Sequence, residues 1–196
     1  MKTDHSAFRP AARIVLAAAF ILMVPLVAVQ VTDQMAWSVA DFAVAGALLI
    51  GTGLMYELGT RKARTTAYRA AVGVAVAAAL LLVWINLAVG VIGSEDNPAN
   101  VLYIGVLAVG IIGAIIARLE PRGMARASFA TALAQMLVPA IALIAGMHRS
   151  PTGSNTAEIL EILTLNGCFA GLFVGSALLF RRAAREQRRV DAGPAH

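Results

Sequence analysis

Few polar side chains lie inside the long apolar runs of this sequence, and each is of a type that can do chemistry. Asn86, Gln135 and Asn166 are carboxamides set among Val, Leu, Ile and Ala. A carboxamide carries two donors and a carbonyl acceptor. Where water is scarce, these must find another helix or a ligand. Acids stand close to the ends of the same runs, at Asp41 and in the string Ser94-Glu95-Asp96-Asn97-Pro98-Ala99-Asn100. Adjacent carboxylates are hard oxygen donors of the kind that hold a cation such as calcium. They are also natural partners of a helix N-terminus, whose dipole they complement. Ser38 with Asp41 has the spacing of a capping box, Asn97-Pro98 reads as an N-cap followed by a first-turn proline, and Asn155 with Glu158 reads as a further cap. Two expectations follow. In the structural one, each acid caps its own helix and the amides bond between helices. In the functional one, Asp41, Asn86, Glu95, Asp96 and Asn166 converge on a shallow, negatively biased outer pocket. Such a pocket would attract a cation or the amine of a small solute. Pro25 and Pro139 are expected to kink their helices and bare carbonyls that can face a cavity.

What is missing narrows the chemistry. The single cysteine, Cys168, can form neither an intrachain disulfide nor a cysteine metal cluster. The three histidines, His5, His148 and His196, are scattered along the chain. There is no HExxH, no GxSxG and no Walker-type phosphate loop. Gly51-Thr52-Gly53 reads as a packing motif, because Tyr56 occupies the place of a third glycine. No acid lies at the middle of an apolar run, which argues against a proton-coupled pump of the usual design. No catalytic residue, cofactor or metal is expected, and the chain is not read as an enzyme.

The elements that must position these residues are set by composition. Of 196 residues, 59% are apolar and 14% charged, and the mean hydropathy is +0.77. A soluble domain has roughly 45–50% and 25%. Six apolar segments, at 14–31, 39–58, 70–92, 101–117, 127–147 and 159–180, are each close to the ~20 residues of a membrane-crossing helix. The chain is thus read as an all-α integral membrane bundle. A segment 1–13 precedes a six-helix domain 14–180, and a basic tail 181–196 follows it. The first span is expected to be retained, since Val27-Ala28-Val29-Gln30 is a poor cleavage site.

Charge gives the orientation. Fifteen of the 16 Lys and Arg fall before span one, between spans two and three, between four and five, or after six, with only Arg149 on the other side. The positive-inside rule puts both termini in the cytoplasm. The basic face is expected to meet anionic lipids, with Arg181–Arg189 lying on them and 191–196 solvated. This patterning is explained by orientation in a membrane with an anionic cytoplasmic surface, and no nucleic-acid partner is expected. Trp37, Phe42 and Tyr103 on one side, with Tyr56, Tyr68 and Phe180 on the other, read as an aromatic belt.

Odd spans begin, and even spans end, at arginines with near-equal spacing, which suggests three helical hairpins in weak repeat. Small residues recur every fourth position at Gly167, Gly171 and Gly175, the strongest packing seam in the sequence. Ala43, Ala47 and Gly51 form a second such row, and Gly110 with Ala114 a shorter one.

Trp84-Ile85-Asn86-Leu87-Ala88-Val89-Gly90-Val91-Ile92-Gly93-Ser94-Glu95-Asp96-Asn97-Pro98-Ala99-Asn100 resembles a stretch found in a group of small bacterial membrane proteins of no known activity. So do Asp41-Phe42, Tyr56-Glu57-Leu58 and Arg122-Gly123-Met124-Ala125. The resemblance implies a polytopic membrane protein and brings no ligand or catalytic residue with it. The favoured reading is a small-solute or ion binding or permeation protein with an outward polar pocket. The alternative is a scaffold or accessory subunit, associating with its own copies or with a partner membrane protein.

Overall fold

In a computed structural model of the chain, the described residues are 5–31, 37–92, 97–146 and 156–192, with side chains from residue 11 onward. They are all-α. The helices are α1 (His5–Val31), α2 (Val39–Thr60), α3 (Thr66–Ala88), α4 (Leu102–Ile116), α5 (Pro121–Ile144) and α6 (Thr156–Asp191), and a 3-10 turn over Pro98–Val101 leads into α4. Six stretches are long and apolar enough to cross a membrane, α4 together with its 3-10 turn.

Helix boundaries follow capping chemistry. Ser38 opens α2 with a complete capping box, its Oγ accepting from the Asp41 N–H and its N–H donating to Asp41 Oδ2 at 2.7 Å. Thr65 caps α3 by accepting from the Tyr68 N–H. Asn97 caps the 3-10 turn, with Pro98 at its first position. Gly90 and Gly146, beyond the ends of α3 and α5, have φ of 74° and 70°, a region glycine enters without strain.

The chain divides into two compact units, Met1–Arg61 and Lys62–His196. In the first, α1 and α2 form a hairpin with glycines at its contact. A Cβ on Gly53 would sit 2.5 Å from Ile14 Cγ2, and one on Gly46 3.5 Å from Leu22.

In the second unit α6 packs against α3 and α5, and α5 packs against α4. Helices α3 and α4, consecutive in sequence, make no extensive contact, so the packing does not follow three paired hairpins. Helix α5 is central. Its buried face carries Ala127, Ser128, Thr131 and Ala132, small enough to let neighbours come close. On α4, Gly113 stands so near α5 that an added Cβ would lie 2.7 Å from that of Ala127. Larger side chains fill the two ends. Tyr68, Val72, Met124 and Phe180 pack at one, and Leu82, Ile92, Tyr103, Val106, Ile162 and Phe169 at the other.

Several sequence expectations are corrected here. The row Gly167, Gly171 and Gly175, whose facing the sequence leaves open between this chain and a second copy, is unpacked among the described residues of the second unit, since a Cβ on any of the three meets nothing within 4 Å. The buried face of α6 instead runs through Ile162, Asn166, Phe169, Phe173, Ser176 and Phe180. Spacing revealed a row of small residues but not which way it faces. Tyr103, Tyr68 and Phe180 are not belt residues. Each is at most 2% exposed. The basic segment as far as Asp191 continues α6 unbroken from the apolar segment, and Ala183 within it is buried.

Gly113→Ala and Gly123→Ala are expected to lower stability by about 1–3 kcal/mol, as overpacking does. At Gly123 the added carbon would meet the Ala117 backbone at 2.9 Å. Gly105, which has open space around it, provides the control. Gly105→Ala should leave thermal unfolding in detergent unchanged or raise its midpoint.

Candidate functional site

The carboxamides identified in the sequence are drawn into the second unit rather than around an open pocket. Asn166 on α6 is completely buried, and its Oδ1 accepts two hydrogen bonds. One comes from the Tyr103 hydroxyl at 2.7 Å, the other from Gln135 Nε2 at 2.9 Å. Its Nδ2 donates to the Ile162 carbonyl one turn back, at 2.8 Å. One side chain thereby joins α4, α5 and α6. Gln135 is also wholly buried, and its Oε1 has no donor. Four residues on, Pro139 is buried within α5 and has no N–H to give the Gln135 main-chain carbonyl. Two acceptors of one residue therefore lie inside the unit without their usual donors.

Asn86 enters a neighbouring set of contacts. Its Nδ2 donates to the Asn100 carbonyl at 3.3 Å, and its Oδ1 is buried without a donor. The Asn100 side chain clasps the main chain just after α3. Its Oδ1 accepts from the Val91 and Ile92 N–H groups at 3.1 and 3.0 Å, and its Nδ2 donates to the Ile92 carbonyl. Main chain leaving a helix inside a low-dielectric core needs such partners. Asn100 in the 3-10 turn and Tyr103 at the start of α4 are three residues apart, so the two sets adjoin there.

Asp41 belongs to the first unit, and its Oδ2 accepts from both the N–H and the hydroxyl of Ser38. The acid serves as the cap that its spacing from Ser38 allowed. Glu95 and Asp96, the remaining members of the expected pocket, lie outside the described residues, as do Asn155 and His148. Pro25 and Pro139 both lie within helices that continue past them. Among the described residues, no group of three or more His, Cys, Asp or Glu could hold a metal ion.

Sequence reasoning treated Tyr103 and Ser176 as neither site nor tie. Ser176 is buried and donates to the Ala71 carbonyl at 2.9 Å, linking α6 to α3. Its Oγ also lies 3.5 Å from that of Ser128 on α5. A tyrosine close to the start of a membrane helix looks like an interfacial anchor, and only the register of α4 against α6 shows that it points inward.

At the other end of the unit, two adjoining hollows of about 370 and 290 Å³ share Glu120, Pro121 and Gln187 in their walls. The α4–α5 turn beside them holds two non-glycine residues at positive φ, Arg118 at 49° and Leu119 at 61°. Their carbonyls accept from Lys62 Nζ at 3.2 Å and from the Tyr68 hydroxyl at 2.6 Å.

Interhelical bonds in bilayers are worth roughly 0.6–2 kcal/mol each. Asn166→Leu strands both the Tyr103 hydroxyl and the Gln135 amide, and should cost about 2–3 kcal/mol in thermal unfolding. Tyr103→Phe alone should cost about 1 kcal/mol. Added to Asn166→Leu it should cost almost nothing further, because the acceptor has already gone. Additive losses would mean that the two residues are not partners.

No protein-family model matches the chain, and no match was found among curated proteins or solved structures, so its function is argued from these residues alone.

Proposed function

We propose that the chain is a non-catalytic, multi-pass protein of the bacterial cytoplasmic membrane, with both termini inside, that acts as a scaffold by pairing with a second copy through α6. The observation that carries this reading is the open row of Gly167, Gly171 and Gly175, on the side of α6 away from its buried face. Lipid supplies no hydrophobic drive between helices, and small residues at four-residue spacing permit the close backbone approach that replaces it. Cys168 and Leu172, one position beyond two of these glycines, are also exposed and share the same face. Copies inserted with one topology present α6 in parallel, as such small-residue pairs require, and a two-fold axis makes the patch its own complement.

The native cysteine tests this. Oxidation of membranes holding the unmodified protein should link two copies through Cys168. Gly171→Leu should abolish the dimer while leaving the monomer's unfolding temperature in detergent unchanged. A dimer that survives Gly171→Leu, or no dimer in the native protein, overturns the reading.

A second reading, binding of a small cationic or amine solute in the outer half, is favoured by the donor-free Gln135 Oε1 and by the loss of a helix N–H at Pro139. An ammonium ion or primary amine would supply donors to these oxygens. Saturable binding of methylammonium to the purified protein, lost in Gln135→Leu, is the expected result. Equal binding to both would remove Gln135 from any such site.

A further inference from the structure

The recess between the starts of α3 and α5 and the end of α6 is not used by either reading above. We infer that it binds a phosphate group, as a monoester or diester.

Its walls bring together charge from three separate elements. Lys62 and Arg64 come from the segment before α3, Arg122 from the first turn of α5, and Arg188 from the last turn of α6. Lys62 and Arg64 line the larger hollow with Glu120, and Arg122 and Arg188 line the smaller with Glu120 and Asp191, so the two together carry a surplus of positive charge. Gln187 adds an uncharged side chain with donors, and it lines both hollows. The larger hollow, half-open and about 370 Å³, has room for a small group such as a phosphate.

The floor of the recess is fixed. Consecutive non-glycine residues at positive φ each cost roughly 1–2 kcal/mol, so Arg118 and Leu119 hold that shape only because neighbours fasten it. Tyr68 and Lys62 do so through the two carbonyls, and Lys62 keeps two further N–H groups for a ligand. The turn delivers Pro121, the first residue of α5, into the recess wall, and the Glu120 side chain makes no capping bond there. The positive end of a 24-residue helix therefore adds to the side-chain charge.

Basic loops that merely set membrane orientation would be spread without regard to shape. Here two cations line each of two adjoining hollows, and the fastened turn contributes Leu119 to the wall of the larger. Tetrahedral oxyanions suit it, because several donors approach from different directions. The phosphate can come from the headgroup of an anionic phospholipid or from a free phosphate compound, and the two sources are separable by experiment.

The full chain in a neutral detergent is titrated with inorganic phosphate against sodium chloride at equal ionic strength. In parallel it is titrated with phosphatidic acid against phosphatidylcholine in mixed micelles. Binding is read as a rise in unfolding temperature and as an apparent Kd. Arg64→Gln with Arg122→Gln should weaken binding at least about tenfold, the loss of one charge-assisted contact or more. The charge-matched control, Arg181→Gln with Arg185→Gln, removes the same charge from α6 outside the recess. It should change binding less than about twofold. Unfolding without ligand checks that each variant is folded, and Arg188→Gln provides a second variant should the first pair fail. A response to inorganic phosphate assigns a free oxyanion. A response confined to phosphatidic acid assigns a lipid headgroup. Equal weakening by the two double variants, or no response to either probe, overturns the inference.

Discussion

Inside a bilayer no water is available to satisfy a polar group, and lipid is as apolar as the helices it surrounds. Register between helices must then come from close backbone contacts and from a few internal hydrogen bonds. In the second unit that constraint concentrates on Asn166. Its carbonyl oxygen receives Tyr103 from α4 and Gln135 from α5, and a rotation of any of the three helices breaks a bond that nothing else can replace. Ser176 does the corresponding work between α6 and α3. Around these ties the apolar side chains fill space, and the glycines at 110 and 113 set how near α4 may come to α5.

Helix α6 consequently has two unlike faces. One is polar in places, fully packed and committed to α3 and α5. The other is a row of glycines with no side chain of the second unit's described residues upon it. The first face explains how the unit holds together. The second explains why a scaffold reading has a definite surface to act through.

Much of this architecture is legible in the residues. Hydropathy finds the six helices because each must supply about twenty apolar residues, and the Ser38–Asp41 pair reveals a cap because capping is a local bond. The demand of buried amides for partners likewise points to Gln135 and Asn166. What the residues do not reveal is azimuth. Every face of a membrane helix is apolar, so the usual contrast between a wet side and a dry side is lost. The spacing of Gly171 therefore leaves its facing open, while Tyr103 and Tyr68 read as interfacial and are buried. For a related reason Asn86 and Asn166, at similar depths, do not reveal their partners, because depth says nothing about which side chains turn toward one another.

The tie between α3 and α6 has a consequence for biogenesis. Ser176 and Ala71 are 105 residues apart, and helices enter a membrane in the order of their synthesis. Through the insertion of α4 and α5, helix α3 has no partner on its Ala71 side, and Tyr103 and Gln135 have no Asn166 to meet. The second unit thus closes in one step, when its last helix arrives. Until then it sits in the bilayer with unpaired polar groups, the state that chaperones and proteases of the membrane are able to tell from a finished protein.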